Sequence, residues 1–241
     1  MSAAPVSDAH LPPSRRLIVA LDVPDAAAAR ALVEELGDAV QFYKIGLELA
    51  VSGGYFDLLD WLIRRDKHVF TDLKLYDVPA TVAAAVRQLA GRGAEFLTVH
   101  GDRAIMQAAA AEKGRLRILA VTVLTSMDGD DLRQQGIELD LRRLVLRRAR
   151  LAMSAGCDGV IASGLEAAAL RRTLGPQPLI VTPGIRPAGT AGGDDQKRIV
   201  TPAQALANGA SHIVVGRPIR DAPSPRERAQ AIQAEIADAL R

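Results

Sequence analysis

The chain has 241 residues, of which 49% are hydrophobic and 24% are charged, a balance typical of soluble globular domains with a sizeable core. Its 30 Lys and Arg against 28 Asp and Glu leave a net charge of +2, and only 3% of the residues are aromatic. These values exclude a disordered chain. They also argue against nucleic-acid binding and a membrane-surface role, which would need a basic surface or aromatic platforms.

The N-terminal residues and the cysteine content indicate where the protein works. Residues 1–16 contain Pro and Ser without an apolar run, and no segment approaches the roughly 18 consecutive apolar residues of a membrane helix. The single cysteine, Cys157, cannot form an intrachain disulfide or a cysteine metal cluster. We therefore expect a flexible N-terminal segment over residues 1–16, a cytoplasmic location, and neither a membrane nor a nucleic acid as partner.

Short aliphatic runs alternate along the chain with stretches of helical periodicity. The predicted strands span residues 17–21, 41–45, 68–73, 96–99, 117–123, 159–161, 179–182 and 212–215. The predicted helices span residues 26–36, 56–65, 81–89, 104–112, 141–155, 165–174, 202–208 and 225–240. This alternation indicates an α/β fold, a (β/α)8 TIM barrel in which residues 17–241 form a single domain, because parallel strands need crossover helices. A doubly wound open sheet is the alternative.

Two connections are too long for ordinary loops between a strand and a helix. One spans residues 125–136, and the other spans residues 183–199 and is rich in Gly and Pro. Long irregular connections in compact domains are usually functional. Because the second connection follows predicted strand seven, where barrels often bind phosphate, we expect it to act as a lid.

Charged residues follow one another where the third predicted strand ends. Asp72 and Lys74 are two residues apart, so their side chains share a face of an extended strand, and Asp77 lies just beyond the strand. In a barrel, catalytic side chains project from this end of the strands. The alternative is structural: Asp72 and Lys74 form an ion pair at the rim, and Asp77, two residues before Pro79, caps or leads into the next helix.

The ends of predicted strands one and two carry further charges. Lys44 lies on strand two, about 4.8 Å from strand three, and can reach Asp72 or Lys74. The chain has five lysines and 25 arginines, so a lysine within an apolar strand favours a group that donates a proton, which arginine practically cannot do. Asp22, after strand one, either accepts hydrogen bonds from sugar hydroxyls or begins the next helix.

The end of the eighth predicted strand indicates a phosphorylated substrate. Gly216 offers a backbone donor, and Arg217 offers a guanidinium fork that matches phosphate oxygens at the start of a short helical turn. Arg186 and Gln196, in the connection after strand seven, are further donors that can close over the same group. The alternative for Gly216 and Arg217 is an ordinary entry into a helix.

Together these motifs are similar to a known family. The chain from Leu17 onward resembles orotidine 5'-phosphate decarboxylases of the bacterial type, in the order and separation of LDVPD, FYKIG, DLKLYDVPATV, VTVLTSM, TPGIRP, DDQKRI and VVGRPI. The most specific element is D-x-K-x-x-D with Val78, Pro79 and Thr81 after it. One departure is HGDRAIM after strand four, which lacks the Gly pair usual in the family.

The resemblance implies conversion of orotidine 5'-phosphate to uridine 5'-phosphate in de novo pyrimidine biosynthesis, without a cofactor or a metal. It implies that Lys74 protonates C6 and that Lys44, Asp72 and Asp77 complete a charged array. It also implies a homodimer, in which Asp77 and Thr81 are contributed across the interface.

The resemblance assigns the remaining residues to parts of the substrate. It implies that the ribose is held by Asp22 and Lys44 and that Thr125 and Ser126 lie near the pyrimidine. The phosphate ligands that it implies are Arg186, Gln196, Gly216 and Arg217.

Two other functions remain open from the residues. Decarboxylases and aldolases of the same barrel group act on sugar phosphates such as keto-gulonate phosphate or hexulose phosphate. They share D-x-K-x-x-D but use magnesium, and Lys44, D-V-P-A-T and Gln196 favour the nucleotide enzyme over them. The other alternative is a non-catalytic phosphate-binding barrel, which would not need two ammonium groups between carboxylates.

Overall fold

The computed structural model describes residues 11–187 and 198–241, in which eight parallel strands close into a barrel in chain order. Pairing of β1 with β8 completes the closure. The strands are β1 (Leu17–Ala20), β2 (Phe42–Gly46), β3 (His68–Leu75), β4 (Phe96–Val99), β5 (Arg117–Val121), β6 (Gly159–Ile161), β7 (Leu179–Thr182) and β8 (His212–Val215). The predicted (β/α)8 barrel is confirmed, and the doubly wound open sheet was wrong.

Helices pack around the outside of the barrel. Those of the described residues are α1 (Ala26–Leu36), α2 (Leu47–Ser52), α3 (Tyr55–Ile63), α4 (Pro79–Ala90), α5 (Arg103–Glu112), α6 (Gly129–Gln134), α7 (Leu141–Ser154), α8 (Gly164–Leu174), α9 (Pro202–Ala207), α10 (Arg217–Arg220) and α11 (Pro225–Ala239). Over the described part of the chain, none of them has the length and apolarity needed to cross a membrane.

Every predicted strand and helix is present within two residues of its predicted ends. Besides α10, which is the short helical turn expected at Arg217, two helices of the described residues were not predicted. The first is α2, which has six residues and begins directly after β2. The second is α6, which lies inside the connection 125–136 that was predicted to be irregular. Asp128 caps α6 by accepting hydrogen bonds from the backbone of Asp130 and Asp131, and the Asp131 side chain bonds back to the Asp128 backbone.

The interior of the barrel holds several of the few aromatic rings of the chain. Phe42, Phe70 and Phe96 are buried there, and the imidazole of His212 lies edge-on to Phe42 and Phe96 at centroid distances of 5.7 and 5.1 Å. Burial lowers the pKa of His212 to about 3, so the ring is neutral at physiological pH. As its position at the start of β8 predicts, His212 belongs to the end of the barrel that serves stability.

Part of the N-terminal segment lies against the bottom of the barrel. A 3-10 turn at Pro13–Arg15 precedes β1, and the Arg15 guanidinium donates hydrogen bonds to both carboxylate oxygens of Glu95 at 2.9 and 2.8 Å. The preceding residues, 1–10, are outside the described part of the chain.

Glu95 is the centre of a charge cluster at this end of the barrel. Its carboxylate lies 2.8 Å from His68 Nδ1 and is also paired with Arg117 and Arg15. Burial alone would raise the pKa of Glu95, but the hydrogen bond with His68 and the charges of Arg117 and Arg15 outweigh it and hold the pKa at about 2. The ionised carboxylate therefore stabilises the closed barrel.

We expect Glu95→Gln to destabilise the protein at pH 7 and to do so less in acid. Lowering of the Glu95 pKa from 4.5 to about 2 corresponds to ~3 kcal/mol in the free energy of unfolding. This stabilisation is present above pH 4.5 and is lost as the pH falls toward 2. The expected fall in Tm at pH 7 is about 5–10 °C. Circular dichroism melts from pH 7 to pH 3 measure it.

The matched control is Glu112→Gln, because Glu112 pairs with Arg87 on the exposed surface at 2.9 Å. Exposed pairs contribute little, so its Tm is expected to stay near that of the wild type. Equal Tm changes in the two variants, or a Glu95→Gln deficit that does not depend on pH, would contradict the assignment.

Candidate active site

A cavity of about 310 Å³ opens at the carboxyl ends of the barrel strands. This is the end at which barrel enzymes carry their active sites. Among its lining residues are nine that the sequence predicted as site residues: Asp22, Lys44, Asp72, Lys74, Thr125, Ser126, Arg186, Gly216 and Arg217.

Four charged side chains form a continuous chain along one side of the cavity. The Nζ of Lys44 lies 2.8 Å from Asp22 Oδ1 and 3.5 Å from Asp72 Oδ2. The Nζ of Lys74 lies 2.8 Å from Asp72 Oδ1. The charges thus alternate in sign across β1, β2 and β3, with Asp72 between the two ammonium groups.

The glycine that ends β2 leaves room for this chain. Gly46 pairs in register with Asp72, and a β-carbon at Gly46 would lie only 3.2 Å from Lys44 Nζ and 3.6 Å from Asp22 Oδ1. A larger residue would press on the ion pair between Lys44 and Asp22.

Each buried charge depends on its neighbours for its ionised form. Burial raises the pKa of Asp72, but the charges of Lys44 and Lys74 and the hydrogen bonds from Lys74 and Thr98 outweigh it, so the pKa lies below its usual value. Burial lowers the pKa of Lys44, but Asp72 and Asp22 outweigh it, so that pKa lies above its usual value. Both groups are therefore charged at physiological pH.

Lys74 does not occupy a regular strand position. The pairing of β3 with β4 shifts between Thr71 and Leu75, and Lys74 has a φ of +47°, in the left-handed region. The sequence predicted that alternation along an extended strand would bring Lys74 to the face of Asp72. The two side chains do meet, but through this irregularity, and the backbone conformation costs ~1–3 kcal/mol.

Thr98 on β4 supports both partners and was missed by the sequence analysis. Its Oγ1 donates a hydrogen bond to Asp72 Oδ1 at 2.8 Å and accepts one from the Lys74 backbone N–H at 3.0 Å. Thr98 is fully buried. The only signal in the sequence is a hydroxyl residue one position before the end of an otherwise apolar strand.

The other sides of the cavity are formed by the segments after β5, β7 and β8. Thr125 and Ser126 follow β5, Arg186 follows β7, and Gly216 and Arg217 follow β8. The Nη1 of Arg186 donates to the carbonyl oxygen of Ile185 at 2.7 Å. The two arginines make this part of the cavity cationic, whereas the charged chain on β1 to β3 has two positive and two negative groups.

Two predicted site residues lie away from this cavity. Asp77 and Thr81 are exposed and do not line it, and Asp77 Oδ1 accepts a hydrogen bond from the Val78 backbone at 2.6 Å. The apolar neighbours Tyr76 and Val78 are 70% and 61% exposed. A third predicted residue, Gln196, and most of the predicted lid lie outside the described residues.

A second cavity, of about 960 Å³, opens beside the first and shares Lys74 with it. Tyr76, His100 and Arg148 are among its lining residues, and the His100 ring lies edge-on to Tyr76 at 5.7 Å. Burial lowers the pKa of His100, and the nearby charges of Arg148 and Lys74 lower it further. The exposed segment after β3 thus borders a wide opening next to the Lys74 ammonium.

Residues 15–232 match the model of the orotidine 5'-phosphate decarboxylase / HUMPS family. The chain belongs to this family. An orotidine 5'-phosphate decarboxylase of Methylococcus capsulatus is 58% identical over 233 residues, which cover 97% of this chain and 96% of that protein. One from Rhodopseudomonas palustris is 56% identical over 226 residues, 93% of this chain and 95% of that protein. The resemblance inferred from the motifs is confirmed.

A solved structure agrees with the family assignment. The crystal structure of orotidine 5'-phosphate decarboxylase from Lactobacillus acidophilus superposes with a TM-score of 0.81 at 37% identity, covering 92% of this chain and 99% of that one. The family fold and the barrel of this chain are therefore the same along nearly the whole length of both.

We expect Thr98→Val to impair catalysis more than folding. The variant removes a hydrogen bond to an ionised carboxylate, worth ~1.5–3 kcal/mol, so kcat/KM should fall about 10- to 100-fold. The assay uses orotidine 5'-phosphate, the substrate in the names of the curated relatives. Because Asp72 loses a donor to its charged form, the acid limb of the pH profile should move to higher pH.

Thr71→Val is the matched control. Thr71 is also fully buried, on the adjacent strand, and its Oγ1 donates to the Phe96 carbonyl at 2.8 Å and not to the Asp72 carboxylate. It should lower the Tm with little change in kcat/KM. Equal kinetic losses in the two variants would reduce Thr98 to a structural role.

Proposed function

We propose that Lys74 supplies the proton that replaces CO2 when this chain converts orotidine 5'-phosphate to uridine 5'-phosphate. The observation that carries the proposal is the ion pair between Lys74 and the buried Asp72, at 2.8 Å, in the wall of the cavity. The chain that holds this pair is 58% identical to an orotidine 5'-phosphate decarboxylase. The bond between C6 and the carboxylate breaks, its electron pair stays on C6, and the Nζ proton of Lys74 forms the new bond to C6.

The alternating charges suit the electronic demand of this reaction. The electron pair left on C6 lies in the plane of the ring, where no carbonyl can delocalise it. The ammonium of Lys74 stabilises the developing charge before it transfers its proton. Asp72 holds this ammonium in position and lies where the departing carboxylate must pass, so the substrate carboxylate experiences repulsion that is relieved on loss of CO2.

The cationic part of the cavity suits the other end of the nucleotide. Arg186, Gly216 and Arg217 bind the 5'-phosphate, and Gln196 adds a donor from the connection after β7. Two guanidinium groups match the charge and geometry of a phosphate dianion. Because the phosphate does not react, its binding energy serves to hold the pyrimidine against the charged chain, and this raises kcat.

The residues between these two ends contact the ribose and the base. Asp22 accepts a hydrogen bond from a ribose hydroxyl, and Lys44, 2.8 Å from Asp22, donates to the same sugar. Thr125 and Ser126 bind the pyrimidine from the segment after β5. The side chain of Asp22 is 44% exposed, enough to meet a ligand that enters from the mouth of the barrel.

The active form is a homodimer in which Asp77 and Thr81 complete the site of the partner subunit. Both residues are exposed and lie beside the exposed apolar side chains of Tyr76 and Val78. Large exposed apolar side chains next to a catalytic cavity are typical of an interface. The cytoplasmic location remains a prediction.

We expect Lys74→Ala to lower turnover at least about 1000-fold, because it removes both the proton donor and the nearest cation. The assay follows loss of orotidine 5'-phosphate absorbance and CO2 release. Lys113→Ala is the control. Lys113 forms an ion pair with Asp158 at 2.7 Å and does not line the cavity, so turnover should stay unchanged. A Lys74→Ala variant with a tenth of wild-type activity would refute the assignment.

The wild-type assay also separates this function from the magnesium-dependent sugar-phosphate chemistry. Turnover of orotidine 5'-phosphate that survives a chelator favours the proposal. Turnover of keto-gulonate phosphate that requires added magnesium would favour the alternative.

We expect Lys74→Ala and Asp77→Ala subunits to complement each other. Random mixing makes half of the dimers mixed, and each mixed dimer has one site with both defects and one intact site. About a quarter of wild-type activity should therefore return, as two-fold symmetry requires. Equal amounts of the two variants are unfolded together, refolded and assayed.

Exchange of subunits is verified separately by mass spectrometry with one isotope-labelled variant. If exchange is complete and the mixture is no more active than the separate variants, Asp77 serves its own subunit and the shared site is refuted.

A further inference from the structure

Arg198, at the end of the long connection after β7, is buried although it carries a guanidinium group; it is only 8% exposed. Its Nη1 donates to Glu166 Oε1 on α8 at 2.7 Å. Its Nη2 donates to the carbonyl oxygens of Val123 and Leu124, at 3.2 and 3.0 Å. One side chain thus joins the connection after β7 to α8 and to the segment after β5.

The two ends of the connection are also bonded to each other. The Arg186 backbone N–H donates to the Val200 carbonyl at 2.9 Å, and the Val200 N–H donates to the Gly184 carbonyl at 3.3 Å. Ser163, the N-cap of α8, donates from its Oγ to the Arg198 carbonyl at 3.2 Å. The base of the connection, with Arg186 at one end and Arg198 at the other, is therefore held as a unit.

Arg198 lies between two walls of the active-site cavity. One wall comes from the segment after β5, where Val123 and Leu124 directly precede Thr125 and Ser126. The other wall comes from the base of the connection and includes Arg186. The first wall carries the proposed pyrimidine contacts, and the second carries a proposed phosphate contact.

We propose that Arg198 is a positioning residue that fixes the distance between the pyrimidine wall and the phosphate wall. The inference rests on the proposed function, because it assumes that one substrate spans both walls. Phosphate binding raises the rate only if the bound phosphate places the pyrimidine correctly against the charged chain. The two carbonyl hydrogen bonds of Arg198 supply that rigid connection.

Stability alone does not account for a buried guanidinium here. A buried ion pair such as Arg198 with Glu166 is often replaced by apolar side chains of similar volume with no loss of stability. Apolar side chains cannot donate to the carbonyls of Val123 and Leu124. The double substitution Arg198→Met with Glu166→Leu therefore separates the ion pair from the connection between the walls.

The double variant is compared with Arg198→Met alone, which leaves the Glu166 carboxylate buried without its partner. We expect the single variant to have a lowered Tm and the double variant to regain most of it. The double variant should still lose about tenfold or more in kcat on orotidine 5'-phosphate, since two hydrogen bonds from a charged donor are gone. On orotidine, which lacks the phosphate, the kcat of the double variant should fall less than about threefold, because this substrate does not contact the phosphate wall.

Two control variants match the chemistry of the test. Arg171→Met removes another guanidinium that bonds several carbonyls, among them Gly175 at 3.0 Å and Gly209 at 2.9 Å, but Arg171 does not line the cavity. It should lower the Tm without lowering kcat. Glu166→Gln keeps an acceptor for Arg198, so it should keep kcat within about twofold of the wild type.

The inference is overturned if the double variant recovers kcat together with the Tm, or if it loses equally on orotidine 5'-phosphate and orotidine. Titration calorimetry tests the inference without turnover. In the double variant, the ratio of the Kd for uridine to the Kd for uridine 5'-phosphate should be about tenfold smaller than in the wild type. An unchanged ratio also overturns it. A wild-type protein that does not decarboxylate orotidine 5'-phosphate would refute the proposed function, and the calorimetric result would still decide the role of Arg198.

Discussion

The ionised carboxylate of Asp72 is the constraint on which the rest of the site depends. A buried carboxylate without partners would take up a proton, and a protonated Asp72 would hold neither Lys44 nor Lys74. Two ammonium groups and the Thr98 hydroxyl keep it charged, at 3.5, 2.8 and 2.8 Å. Removal of any one of them weakens the support for the charged form of Asp72, so the charged chain behaves as one unit and not as a sum of pairs.

The irregularity in β3 follows from this constraint. A regular strand would direct the backbone N–H of Lys74 into the barrel ladder, whereas the shifted register turns it to the Thr98 side chain at 3.0 Å. The left-handed conformation of Lys74 is unfavourable for a lysine, and it persists because Asp72 and Thr98 determine the position of both its ends. The same hydroxyl thus supports the carboxylate and the strained backbone of its partner.

The fold and the charged residues of the cavity could be predicted from local patterns, whereas Thr125 and Ser126 followed only from the family resemblance. Asp72 and Lys74 could be predicted from their spacing, since charged residues in an apolar strand are unusual. Thr98 could not be predicted, because threonine is common in strands and its role depends on the register of β3 against β4. Arg198 could not be predicted as buried, since its partners are 74 and 75 residues away along the chain, in the segment after β5.

The barrel divides its functions between rigid and less regular parts. Lys44 and Asp72 lie on β2 and β3, which pair continuously as far as Asp72, and Lys74 lies just beyond, where the register shifts and the Thr98 side chain holds its backbone. The walls that we propose to meet the phosphate and the pyrimidine belong to the segments after β5, β7 and β8, beyond the ends of the paired strands. Backbone hydrogen bonds join the two ends of the connection after β7 to each other, and the Arg198 side chain joins them to the segment after β5. The two hydrogen bonds of Arg198 to backbone carbonyls cross from one wall to the other beyond the last paired residues of β5, β6 and β7.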